Sequence, residues 1–222
     1  MRHETIDVFR SFHAAYEVFE MPAQVMQSIS LKRLFLDLAT VFDGNLEIEK
    51  IASQELSAKS MLAQGVSEPR AISEDIAVVM RSDKAHPICA DVLNMPLNWA
   101  PPETSKSELY KKHSHFKAHV ELLGPDGLVK SDIVRLGLYG MLPNSEYGIR
   151  THPAEEIYIM LAGMCFWRRG DEGYQSAGVG DRSHHASFLP HATLTKEDAF
   201  MSVYAWVGDL STERYSYNGL PT

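Results

Sequence analysis

From about Pro96 to Trp206 the chain is a succession of short strand-like runs separated by turn residues. His119–Leu123 precedes Gly-Pro-Asp-Gly at 124–127, Ile133–Tyr139 precedes Gly140, and Met164–Arg168 precedes Arg-Gly-Asp-Glu-Gly at 169–173. Further runs follow at 174–178, at 186–195 and from Ala199 to Trp206. Turns every ~8–12 residues leave room for strands and little else, which predicts a β-sandwich or a small barrel. The last stretch, 211–222, reads as an irregular tail.

Within this region, 147–163 (Tyr-Gly-Ile-Arg-Thr-His-Pro-Ala-Glu-Glu-Ile-Tyr-Ile-Met-Leu-Ala-Gly) holds the densest chemistry. Read as one strand, it alternates between two faces. Arg150, His152, Glu156, Tyr158 and Met160 share one face, and Ile157, Ile159 and Leu161 share the other. An ordinary strand with a solvated polar face has the same pattern. A second stretch favours a site: Gly180-Asp181 opens a turn and a short strand, and Pro190-His191 closes it with another imidazole. A strand that is polar inside and apolar outside fits the lining of a small barrel, and its apolar face needs cover.

The first half has a different period. Phe9, Phe12, Tyr16 and Phe19 fall at helical spacing. So do Leu31, Leu34, Phe35, Leu38, Val41 and Phe42, after Ser30 as an N-cap and before Asp-Gly-Asn at 43–45. A third helical pattern starts near Ser73, and a fourth carries Ile88, Val92 and Leu93 after Pro87, while 53–72 reads as polar helix plus loop. The expected organisation is mainly β: an α-helical extension over 1–95 packing on a barrel over 96–222. The helices supply the missing cover, or else a dimer surface.

Composition narrows the partners. A net charge of −8 on 222 residues argues against nucleic acid or an anionic membrane. No run approaches the ~20 apolar residues of a membrane span, and the start of the chain shows no secretory pattern, so a cytoplasmic protein is expected. Cys89 and Cys165 stand outside any paired spacing and are expected as buried free thiols.

Imidazole and carboxylate together suit zinc, iron(II), manganese, nickel or cobalt. His152, Glu156 and His191 are the candidate ligands, with Tyr158 as a ligand, a base, or each in turn. His113, His115 and His119 form a competing cluster, but Lys111, Lys112 and Lys117 around it repel a cation, and the segment reads as an exposed strand. His184 and His185 are adjacent, so at most one reaches a site, and surface or supporting roles are expected for both. No phosphate loop and no Ser-His-Asp arrangement appears.

His152-x3-Glu156-x6-Gly163 resembles the first cupin motif, and Gly180-Asp181 through Pro190-His191 resembles the second. Arg150 stands where the usual first motif has its first His. His-x3-Glu-x-Tyr followed by Pro-His is similar to the Q-type cupin dimethylsulfoniopropionate (DMSP) lyases of marine bacteria. That resemblance implies a double-stranded β-helix barrel and one divalent metal, with zinc, iron(II) and manganese as candidates. It implies His152, Glu156, Tyr158 and His191 as ligands, with Tyr147 and Trp206 in the substrate pocket. The implied reaction is β-elimination of DMSP to dimethyl sulfide and acrylate, with Tyr158 as base and Tyr147 as a substrate-orienting donor or alternative base. Trp206 would face the sulfonium. The alternatives are another metallo-cupin enzyme (a dioxygenase or an isomerase) and a non-enzymatic small-molecule-binding cupin. Apolar helical faces leave room for a homodimer.

Overall fold

The computed structural model describes residues 23–63 and 68–221. The aromatic pattern Phe9–Phe19 lies outside these residues. Four α-helices come first: α1 (Ala23–Val41), α2 (Glu47–Lys59), α3 (Glu74–Met80) and α4 (Ile88–Asn94). A short α5 (Glu108–Lys112) leads into the strands. Helix α1 begins seven residues before Ser30, so Ser30 is interior rather than a cap. The Ala-Gln-Val-Met-Gln-Ser segment ahead of it holds good helix formers and no breaker, so the helix runs on upstream.

Eleven strands follow: β1 (Lys117–Gly124), β2 (Val129–Lys130), β3 (Val134–Met141), β4 (Glu146–Thr151), β5 (Glu155–Gly163), β6 (Cys165–Arg169), β7 (Gln175–Ala177), β8 (Arg182–His185), β9 (His191–Leu194), β10 (Phe200–Val207) and β11 (Ser216–Gly219). They form two sheets, ordered β2-β1-β3-β10-β5-β8 and β11-β4-β9-β6-β7. Their arrangement is a cupin barrel with helices on its outer face.

Alternation along the three central strands divides the interior into two cores. Ile157, Ile159 and Leu161 of β5, Val203 and Ala205 of β10, and Leu136 and Leu138 of β3 pack with Leu31, Leu34, Phe35, Leu38, Ile48 and Leu56 of the helices. The intervening residues Tyr158, Met160, Tyr204, Trp206 and Tyr139 face inward with Tyr147 and Trp167. The helices therefore supply the cover that the apolar face of β5 requires.

Residues 147–163 are not one strand. They are β4 and β5, in different sheets, joined through Pro153 and Ala154. Pro153 lacks a donor for a ladder and ends the pairing. The polar side chains continue to face one another because the chain folds across the barrel, not because they lie in line. The tail also differs from expectation: β11 pairs with β4 and brings Tyr215 and Tyr217 to the aromatic interior.

Two glycines are sterically required. Gly163 ends β5 at φ +69°, and a Cβ there would sit 1.9 Å from the Ala199 carbonyl oxygen. Gly180 turns the chain into β8 at φ +86°. Cys89 and Cys165 are free and buried, and burial pushes the Cys89 thiol up to about 12.

Candidate metal centre

Strand register sets the centre. On β5, Glu156 lies opposite Trp206 of β10 on one side and His185 of β8 on the other. Both neighbours reach its carboxylate. Trp206 Nε1 donates to Oε1 at 2.5 Å and His185 Nδ1 donates to Oε2 at 2.9 Å. Ser183 Oγ donates in turn to His185 Nε2 at 2.9 Å, which fixes that tautomer.

The two remaining imidazoles come from the other sheet. His152 follows β4 and His191 opens β9. Each commits Nδ1 to a backbone carbonyl, His152 to Ala154 at 3.1 Å and His191 to Leu189 at 2.8 Å. Both Nε2 atoms therefore carry lone pairs in the neutral rings. They lie 3.4 Å and 3.1 Å from Glu156 Oε2, yet neither is hydrogen-bonded. Three buried groups thus converge without a hydrogen bond between either Nε2 and the carboxylate, and their ligand atoms all lie within 4.8 Å. Such a cluster is repulsive unless a cation joins it, and two imidazoles with a carboxylate suit a divalent transition metal. The residues fit a metal site.

The surroundings keep these groups in ligand form. Burial works against the Glu156 carboxylate, while the hydrogen bonds donated by Trp206 and His185 favour its ionised form. Burial, with the charges of Arg150 and His185, holds His191 well below its ordinary value, hence neutral.

Tyr158 shares the inward face of β5 with Glu156, one pleat along. Burial and the Glu156 charge raise its phenol well above the usual value, while Arg150 opposes them. Tyr147 is buried on β4, with its hydroxyl hydrogen-bonded to that of Tyr215. Trp206 stacks one ring face on His152, with centroids 4.1 Å apart. Beside the cluster lies a cavity whose walls include Tyr147, Arg150, Glu156, Tyr158, Tyr204 and Trp206.

The histidines at 113, 115 and 119 do not converge. His113 Nδ1 bonds Tyr217 Oη at 2.7 Å, His115 bonds the Lys112 carbonyl, and His119 Nε2 bonds Tyr204 Oη at 2.8 Å. Nor is the segment an exposed strand, since α5 occupies part of it and Lys117 is buried. His119 and Tyr204 line the cavity, so one member of that trio reaches the site by another route. His184 pairs with Glu155 near the surface, whereas His185 supports the centre. Sequence reasoning passed over Tyr204 and Tyr215. Tyr204 lies two residues from Trp206 on the same face of β10, a signal that was available.

A family model for dimethylsulfoniopropionate lyases matches residues 70–202. The chain belongs to the DMSP lyase family. The DMSP lyase DddQ of Ruegeria pomeroyi is 37% identical over 91 residues, 41% of this chain and 45% of that protein. The match thus spans less than half the length of that curated relative. Two solved structures share the fold. One is DddQ from Ruegeria pomeroyi, at TM-score 0.60 and 22% identity over 86% of this chain and 96% of that one. The other comes from work on the DMSP lyases RdDddP and RnDddQII, at TM-score 0.61 and 17% identity over 86% of this chain and 99% of that one.

Proposed function

We propose that this chain is a metal-dependent DMSP lyase, converting DMSP to dimethyl sulfide and acrylate. One observation carries the reading within this family. Two buried imidazole nitrogens without a hydrogen-bond partner meet a buried carboxylate beside a cavity lined by aromatic rings. His152, Glu156, Tyr158 and His191 would hold zinc, iron(II) or manganese. The ion, when bound, supplies Lewis acidity and favours the phenolate form of a neighbouring tyrosine.

Tyr158, once ionised, takes the proton from the carbon next to the substrate carboxylate. The electron pair left behind forms the carbon–carbon double bond as the carbon–sulfur bond breaks, and dimethyl sulfide leaves with its bonding pair. Tyr147 orients the substrate through its hydroxyl. The free face of Trp206 and the neighbouring tyrosines offer π-density to the sulfonium. Buried walls exclude water from the reacting carbons.

In this reading the chain divides near residue 95, with 1–95 as a helical cover and 96–222 as the barrel that carries the site. Helices α1–α4 on one side of that point and all the described strands on the other support the division.

Headspace chromatography tests the activity. Metal-stripped protein receives DMSP, then zinc, iron(II) or manganese in turn, with Tyr158→Phe alongside. Metal-dependent dimethyl sulfide from the wild type and nearly none from a metal-loaded Tyr158→Phe protein is the expected result. Silence with every metal, from folded protein holding one equivalent, would overturn the lyase. Full turnover by the variant would remove Tyr158 from the base role.

A further inference from the structure

Arg150 is 1% exposed, in the middle of the barrel wall, and lies opposite His191 in the β4–β9 register. Its guanidinium has five N–H donors in a rigid fork. One bonds Thr193 Oγ1 at 3.2 Å, and another reaches the Tyr147 carbonyl at 3.5 Å. These are its hydrogen bonds among the described residues, and none of their Asp or Glu side chains lies in ion-pair contact with it. The group packs over the Tyr147 ring, 4.0 Å from its centroid, and it lines the cavity.

Arginine keeps its charge when buried, and a buried cation without an anion is costly. Two acids line the cavity: Glu121 is paired with Arg135, itself a wall residue, at 2.5 Å, and the oxygens of Glu156 already face Trp206, His185, His152 and His191. Among the described residues Tyr158, even when ionised, makes no hydrogen bond to the guanidinium, so the fork has donors left for an anion that enters the cavity. A carboxylate matches the guanidinium fork best, because two parallel N–H···O bonds form at once.

We propose that Arg150 is the carboxylate anchor of the cavity, binding the acid group of a short-chain substrate and of its product. This rests on the lyase reading only for which carboxylate arrives. The same charge repels a sulfonium, so Arg150 also directs a zwitterion. The acid end turns to β4, and the cationic end turns to the aromatic faces of Trp206 and Tyr204. The second buried amine nearby, Lys117, is caged by the rings of Tyr110 and Tyr147 and is not a wall of this cavity.

Calorimetric titration of acrylate tests the anchor without turnover, in metal-stripped and zinc-loaded protein, with acrylamide as the uncharged control. Loss of a charge-assisted bond should weaken acrylate binding in Arg150→Met by about 10- to 100-fold in both forms. Acrylamide binding should stay level, and Lys117→Met should bind acrylate as the wild type does. Arg150→Lys keeps the charge without the fork, and Thr193→Val frees the fork from its support. Each should fall between wild type and Arg150→Met, and either one reads the anchor if the Met variant fails to fold. Wild-type acrylate affinity in the Met variant, or in both the Lys and Val variants, would overturn the proposal. Arg150-dependent acrylate binding without dimethyl sulfide production would sink the lyase and keep the anchor. Turnover with Arg150-independent binding would do the reverse.

Discussion

At the scale of single residues, the side chains that matter most do their work through partners on neighbouring strands. Trp206 touches both the metal ligands and the cavity, and two substitutions separate those roles. Trp206→Phe keeps a ring over His152 but removes the donor to Glu156, so zinc affinity should fall about 10- to 100-fold, read by competition with a chelator. Trp206→Ala should in addition raise KM, and a KM no higher than that of the Phe variant would argue against a sulfonium contact. The His-x3-Glu and Pro-His spacings made the convergence of His152, Glu156 and His191 legible, because ligand chemistry shows in residue type and separation. His185 was legible only as one of an adjacent pair. Its bond to Glu156 depends on the β5–β8 register, which no local pattern encodes. Tyr215 was hidden for the same reason: it precedes a short polar strand whose partner, β4, lies some 65 residues upstream.

At the scale of elements, the period-two pattern of β3, β5 and β10 carried most of the architecture, including which face the helices would cover. What it did not carry was the break at Pro153. Alternation of polar and apolar residues runs through the break, so one strand and two strands in different sheets read alike. The ends of β5 are more exacting. Gly163→Ala would place a methyl against the Ala199 carbonyl in a left-handed conformation, which costs at least about 1–3 kcal/mol. A lower denaturation midpoint with an unchanged denaturant slope is expected, and an unshifted midpoint would mean that the β5–β6 turn relaxes freely away from Ala199. On the helical side, Leu38 is fully buried against the sheet. Leu38→Ala should destabilise by about 2–5 kcal/mol with zinc stoichiometry intact. Loss of zinc in the folded variant would show that the helices shape the centre as well as cover it.

At the scale of the whole molecule, two buried basic groups, Arg150 and Lys117, sit inside one aromatic barrel. Burial, followed by the Arg150 charge, lowers the Lys117 amine to about 6 from its ordinary value of 10.5. The folded pKa lies below the unfolded one, so between those values the unfolded chain holds the extra proton and stability rises with pH through that window. Lys117→Met should therefore raise Tm at neutral pH and flatten its rise towards pH 10, as read in thermal melts. A lower Tm would mean that packing against the Tyr110 and Tyr147 faces more than offsets the cost of burying the amine. The ligand set has a larger consequence. Glu156 belongs to the helix-covered sheet, while His191 opens β9 of the opposite one and His152 directly follows its β4. An ion shared among them is a rivet through the sandwich, and any breathing that parts the two walls must stretch it. Metal occupancy and mechanical closure of the barrel are then one variable, and slow hydrogen exchange across β4 and β9 would report on both.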